Sequence, residues 1–471
     1  MKLSKPKIWL SKDFFMLVLM LMVSVIAQIY ISEKFSSKSL ILLTVINGGL
    51  AGFLWFLFYI KRIDIFLVWI YLFPYVIITN SFNYVLRNEV ITSLPIYLLL
   101  LITLLDFLRK TNLDILPKTR FTKILFFFLL YSFAGSAWGY LNGFGPGDIL
   151  IETMRIFYYA FVFVFLYLFN SREEYYRVFK ALLVVSLLIA LGHIALFLKS
   201  GGLRFVAFQM NFLPFAAGIL LAFSLTQKKL LLKLFSFSLF GIVSLGSIVT
   251  LTRSLWVTLF AVLGVVFFFY LKDTLKLKKW KLGLLIFVSV IVLGVAVTKI
   301  KPQKLSAETN DKVDYRVSSI FNPSSDLSFL MRIELNYYAI LEFIDSPLIG
   351  QGNGAWVKYK ILPGNPFNQY YLDNSWLQFF WKGGLIGGIL FLYLFYISAK
   401  NAYRIYRLSN NYKARMICLG LLGAIIGISL LSLLQPMLIK YKANVIIAFL
   451  MAYIEYENRM LDKQLEGELN A

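Results

Sequence analysis

The chain has 471 residues, 59% of them hydrophobic, with a mean hydropathy of +0.75 and a formal net charge of +23. Soluble globular domains lie nearer half apolar and do not gather apolar residues in runs of about 20. The single cysteine, Cys418, excludes an intrachain disulfide or thiolate metal site, and the single histidine, His193, excludes a multi-histidine metal site.

A hydrocarbon core about 30 Å thick takes roughly 20 apolar residues of helix. Runs of that kind predict an all-α polytopic membrane protein with about fourteen spans: 14–32, 39–60, 64–79, 92–107, 124–143, 150–169, 181–198, 208–226, 234–250, 255–271, 281–298, 376–398, 416–436 and 443–457. The first run is long enough to span, and no small-residue cleavage motif follows it, so it reads as a span and not a signal peptide. With the N-terminus inside, the cytoplasmic segments hold 29 of the 47 Lys and Arg, and the external side, one long loop apart, holds 10. That asymmetry obeys the positive-inside rule and places both termini in the cytoplasm. It also accounts for most of the positive charge, so nucleic acid is not an expected partner.

A single helix over 234–271 would run to about 57 Å, nearly twice the bilayer core. Dividing it at "TLTRSLW", 250–256, puts Arg253 at an external turn. The undivided helix would bury Arg253 in lipid at a cost of several kcal/mol. The chain thus organises as spans 1–11 over 1–298, an external loop subdomain over 299–375, and spans 12–14 with a cytoplasmic tail over 376–471. Within the loop, "LSFLMRIELNYYAILEFI" carries apolar residues at 330, 333, 337, 340, 341 and 344, a helical spacing that predicts a packed subdomain beside the membrane.

No P-loop, dinucleotide glycine motif, G-x-S-x-G or acidic metal-binding cluster is present, so ATP hydrolysis, metal-dependent nucleotide-sugar chemistry and serine hydrolysis lose support. What stands out is a set of external arginines: Arg155, Arg204, Arg253, Arg316 and Arg332. Guanidinium groups pair bidentately with phosphate oxygens, so such a set suits a lipid diphosphate headgroup. The plainer reading pairs Arg155 with Glu152 at i−3, Arg316 with nearby acids, and the rest with lipid phosphates. Asp373 and Asn374 stand at the mouth of the span that begins at Trp376, in "YLDNSWLQFFWKGGLIGG". Either residue type can cap that helix.

The order of three motifs resembles the O-antigen ligase and Wzy-type polysaccharide polymerase superfamily. They are "TLTRSLW" with Arg253 at the end of a mid-chain span, "RIELNYYAILEFIDSPLIGQGNG" with Arg332 and a proline–glycine turn, and "DNSWLQFFWKGGLIGG". The resemblance implies a multi-span, GT-C-like glycosyltransferase of the cytoplasmic membrane, without cofactor or metal. Its donor would be an undecaprenyl-diphosphate-linked glycan and its acceptor a glycan or lipid. Chain-length regulator and flippase proteins would be partners beside the membrane lipids. The third motif reads Asp373-Asn374 where the ligases usually read His-Asn, which shifts the expectation toward polymerase. Asp373, Arg332 and Arg253 would be catalytic. Arg155, Arg204, Arg316, Asn374 and Lys382 would bind substrate. The chemistry fits these types: arginines stabilise a leaving diphosphate, and a carboxylate accepts the proton of an attacking hydroxyl.

Other features stay open. "GQGNG", 350–354, is a turn or a phosphate cradle. Lys382 reaches a diphosphate or snorkels to the interface. His193 is a packed core residue or a proton relay. Tyr370, Tyr371, Trp376 and Trp381 form an interfacial belt or a sugar-stacking groove. A lipid-linked oligosaccharide flippase is the rival class, but flippases and ion-coupled transporters place charge near the membrane midplane, and here it gathers at span ends.

Overall fold

The computed structural model describes residues 119–199, 210–250, 252–275, 327–360 and 366–469. Expected spans 14–32, 39–60, 64–79, 92–107 and 281–298 lie outside the described residues, as do Arg204 and Arg316. The chain divides into two compact units, one of Met1–Lys110, Ser171–Val185 and Ala207–Gln209, the other of the remainder. Of the first, the described part is essentially one stretch of helix, 171–185. The second holds the rest of the described residues.

The described residues are mostly helical. In chain order the helices are α1 (Arg120–Leu141), α2 (Pro146–Phe157), α3 (Phe161–Leu168), α4 (Arg172–Lys199), α5 (Leu213–Thr226), α6 (Leu230–Ile248) and α7 (Arg253–Leu275). They continue with α8 (Leu327–Asp345), α9 (Ser375–Leu408), α10 (Tyr412–Leu431) and α11 (Tyr441–Leu469). A hairpin, β1 (Val357–Lys360) with β2 (Pro366–Gln369), is the one departure from all-α within the described residues. It pairs Val357 with Gln369 and Lys360 with Pro366.

Among the described residues, seven helical segments are long and apolar enough to cross a membrane: Arg120–Leu141, Pro146–Leu168, Arg172–Ala195, Leu230–Ile248, Ser254–Asp273, Ser375–Leu408 and Tyr412–Leu431. Their ends are set by local chemistry. Thr119 caps α1 in a reciprocal pair with Thr122, Pro146 opens α2, and Asn411 caps α10 through the Ala414 N–H at 3.0 Å. The chain leaves helix between Ile248 and Arg253, where the cost of burying Arg253 predicts a divide. α5 packs against α6, α7 and α10, and α9 against α1, α8, α10 and α11.

α9 is broken. Gly384 has φ 61° and ψ −167°, a region that belongs almost to glycine alone. A Cβ there would strike the Leu348 carbonyl. The segment after α8 lies in this break and satisfies the freed backbone groups. The Leu385 and Ile386 N–H groups donate to the Pro347 and Leu348 carbonyls at 2.8 and 3.3 Å. The Trp381 and Lys382 carbonyls accept from Gln351 and Gly352 at 3.0 and 2.9 Å, and Tyr131 donates to the Gly383 carbonyl at 2.8 Å. Non-helical backbone inside a span persists where protein satisfies it in this way. Gly384→Ala should therefore lower stability by at least about 1–3 kcal/mol from backbone conformation alone. A thermal melt of the purified variant should shift down by several degrees, and an unchanged melt would rule out the break.

α8 forms where the apolar spacing predicts a helix, but the predicted stripe is not its packed face. Leu330, Ile333, Tyr337, Ile340, Leu341 and Ile344 are all exposed. The buried side carries Leu335 and Ala339, which pack with Ala355, Val357, Leu372 and Trp381.

Candidate active site

The mouth of α9 is built from the motif that stood out in the sequence. Asn374 is the N-cap, its side chain accepting from the Leu377 N–H at 3.1 Å. Ser375 Oγ donates to the Gln435 carbonyl at 3.2 Å, and the Leu372 N–H donates to Gln378 Oε1 at 2.8 Å. With the cap supplied by Asn374, the Asp373 carboxylate is left for another partner. Arg332 Nε, from the second turn of α8, makes a salt bridge to Asp373 Oδ2. Both side chains are about one-third exposed, at 36% and 32%, so the pair is open to a ligand. The contact is made through Nε, so it does not engage the terminal amino groups of Arg332.

Lys382 takes a place that neither sequence reading foresaw. It neither snorkels to an interface nor lies open to a ligand; its side chain is 6% exposed. Nζ pairs with Glu152 Oε1, donates to the Tyr370 carbonyl at 2.7 Å and lies 4.7 Å from the Trp381 ring centre. The second oxygen of Glu152 accepts the Gly354 N–H at 2.6 Å. A buried ion pair thus ties α2, α9 and the glycine-rich turn together.

That turn is no phosphate cradle. Its five N–H groups, from Gly350 to Gly354, go to Ser346, Trp381, Lys382 and Gly135 carbonyls and to Glu152. Gly352 has φ 89°, and a Cβ on it would strike the α1 backbone at Gly139. Trp138 and Asn142 of α1 donate to the Gly350 and Gln351 carbonyls at 3.1 and 3.0 Å. Beneath the turn is a cavity of about 40 Å³, lined in part by Ser132, Glu152, Arg155, Asn353, Gln378 and Lys382. It has room for about two or three waters.

Trp381 does not belong to an interfacial belt. Trp381 is fully buried and donates to Glu342 Oε2 at 2.7 Å. Trp376 donates to the Ser429 carbonyl at 2.8 Å and packs edge-on to Phe395. Burial raises the Glu342 carboxyl above its ordinary range, opposed by the Trp381 N–H and the charge of Lys382 and reinforced by Asp345. Burial also raises the Tyr370 hydroxyl, with Asp148 adding to it. His193 is buried in α4.

Arg253 opens α7, and the next residue, Ser254, receives a hydrogen bond from Gln435 Nε2 at 2.6 Å. The Gln435 carbonyl holds Ser375, so the start of α7 meets the start of α9 through one residue. Arg155 lines the cavity, and its carbonyl accepts from Asn444 at 2.9 Å. Sequence reasoning missed Glu152 as an anchor, and the usable signal was a carboxylate inside an apolar span. No group of three or more His, Cys, Asp or Glu gathers among the described residues.

These features define a multi-pass membrane protein with a half-open arginine–carboxylate pair at the mouth of a broken span. A sequence model of the O-antigen ligase family (Wzy_C) matches residues 238–392, roughly a third of the chain. The resemblance to the O-antigen ligase and Wzy-type superfamily stands on that match, which includes Arg253, Arg332, Asp373, Asn374 and Lys382. The chain matches none of the curated proteins in sequence.

Proposed function

We propose that the protein extends polyprenyl-diphosphate-linked glycan on the external face of the cytoplasmic membrane, as a metal-independent glycosyltransferase. In this reading the chain has about fourteen spans, cytoplasmic termini and an external subdomain that carries Arg332 to Asp373. The observation that supports it most is the Arg332–Asp373 pair. Two residues 41 apart, singled out by separate motifs, meet beside the start of a membrane span.

The chemistry is a displacement. The acceptor hydroxyl oxygen forms a bond to the anomeric carbon of the donor, and the bond from that carbon to the diphosphate oxygen breaks. Asp373 takes the hydroxyl proton, and Arg332, with Arg253, stabilises the charge that gathers on the leaving diphosphate. Asp373-Asn374 in place of His-Asn favours a polymerase, whose acceptor is a second lipid-linked repeat unit. The family description favours a ligase, whose acceptor is a different lipid glycan. Supplying each acceptor to purified protein separates the two.

Arg332→Ala should lower glycan extension by roughly 10²–10³-fold, the scale of losing one oxyanion-stabilising donor. Protein yield and melting temperature should stay near normal, because the pair is one-third exposed. Lys should rescue only in part, since it lacks the planar fork. Full turnover by Arg332→Ala in a lipid-linked extension assay would remove Arg332 from the site.

A further inference from the structure

From residue 330 to residue 344 of α8, every exposed residue is apolar: Leu330, Ile333, Tyr337, Ile340, Leu341 and Ile344. The charged Arg332, Glu334 and Glu342 are only part-exposed. A helix washed by water shows the opposite pattern, with its exposed stripe polar. The face is also continuous with a membrane-facing surface. The Pro347 and Leu348 carbonyls accept from Leu385 and Ile386, so the end of α8 is tied to α9 just past its break. There Leu385, Ile386, Ile389 and Leu392 are exposed on a helix that is itself a membrane span, and Leu348 and Ile349 are exposed beside them.

We propose that α8 is an interfacial helix, lying in the leaflet at the mouth of α9 with its apolar stripe among acyl chains. A helix of this kind sinks its apolar face roughly 5–10 Å into the boundary between headgroups and chains. Arg332, on the opposite side with Leu335 and Ala339, then stands at headgroup level. That is where a lipid-borne diphosphate lies, so the donor reaches the Arg332–Asp373 pair sideways from the leaflet and not from the aqueous phase. The placement of α8 stands on the exposed stripe and its continuity with the exposed face of α9; the route of the donor rests on the glycosyl-transfer reading above.

Full-length protein with Cys418→Ala is reconstituted in phosphatidylethanolamine and phosphatidylglycerol vesicles, with one introduced cysteine bearing a nitroxide at position 333, 340 or 344. Collision rates with oxygen, which partitions into lipid, and with a water-soluble nickel chelate are compared with two references. These are position 389, exposed on the span, and position 463, on the exposed Lys463 of α11. The expected result is an oxygen-to-nickel ratio at 340 and 344 within about twofold of that at 389 and several-fold above that at 463. A ratio like that at 463 would place the stripe in water and overturn the proposal. Low collision with both reagents would mean a second copy or another protein covers the stripe, and would overturn it too. Any variant that loses its monodisperse elution is replaced by Leu341→Cys, on the same stripe. No turnover is read, so a failure of the transferase reading leaves this result unchanged.

Discussion

Replacing Lys382 with methionine should destabilise the protein by about 3–5 kcal/mol, because it leaves the Glu152 carboxylate buried without its cation. The two side chains are 6% and 7% exposed, so water offers little relief. Methionine nearly matches the volume, so the loss reports charge and hydrogen bonding more than a cavity. The Gly354 N–H would still bind Glu152, which stops the loss from being larger. The double variant with Glu152→Gln should recover most of the stability, because a buried pair replaced as a pair costs little. Amide exchange should localise the damage. Gln351, Gly352 and Asn353, whose N–H groups go to Trp381, Lys382 and Gly135, should exchange faster in Lys382→Met and near normally in the double variant. A single variant that melts like the parent would show that the pair does not hold the turn in the break.

Periodicity and charge placement carried much of the described architecture. The apolar runs predict where the helices lie, but α4, α9 and α11 run 9, 10 and 12 residues past the expected ends and the run 150–169 divides into α2 and α3. The length of 234–271 together with Arg253 predicts the divide between α6 and α7. Those signals are local: a run, a charge, a turn. The break at Gly384 is not, because its conformation is held by Pro347 and Leu348, more than 30 residues upstream. "KGG" marks flexibility without saying where the chain leaves the helix. Lys382 and Glu152 are 230 residues apart, so nothing in either span names the other. The stripe on α8 shows a different limit. Spacing identifies a helix and its apolar side, but the same stripe suits a protein core or a lipid leaflet. Leu335 and Ala339, too few to read as a stripe, are what the fold buries. At the site the motifs named Arg332 and Asp373 separately, and only the fold showed them paired.

Asp373→Asn should reduce glycan extension by roughly 10²-fold or more, the usual scale for losing acid–base assistance. Structure should survive the change, for two reasons. Asn374, not Asp373, caps α9, so the helix start is untouched. An asparagine oxygen can still accept from Arg332 Nε, so α8 keeps its tie to the α9 mouth in weaker, uncharged form. The loss should fall on kcat more than on KM, because proton transfer matters in the transition state and not in binding. Asp373→Ala sharpens the test. If Asp373 only positions Arg332, Asn should retain most activity and Ala should not. If it accepts the proton, both should fail alike. Arg332→Ala combined with Asp373→Asn should cost much less than the product of the two single losses, since paired groups that act as a unit are not additive. Near-normal turnover by Asp373→Asn, measured with purified protein and a lipid-linked repeat unit, would retire Asp373 as the base. Catalysis would then rest on the arginines and on another acceptor for the hydroxyl proton.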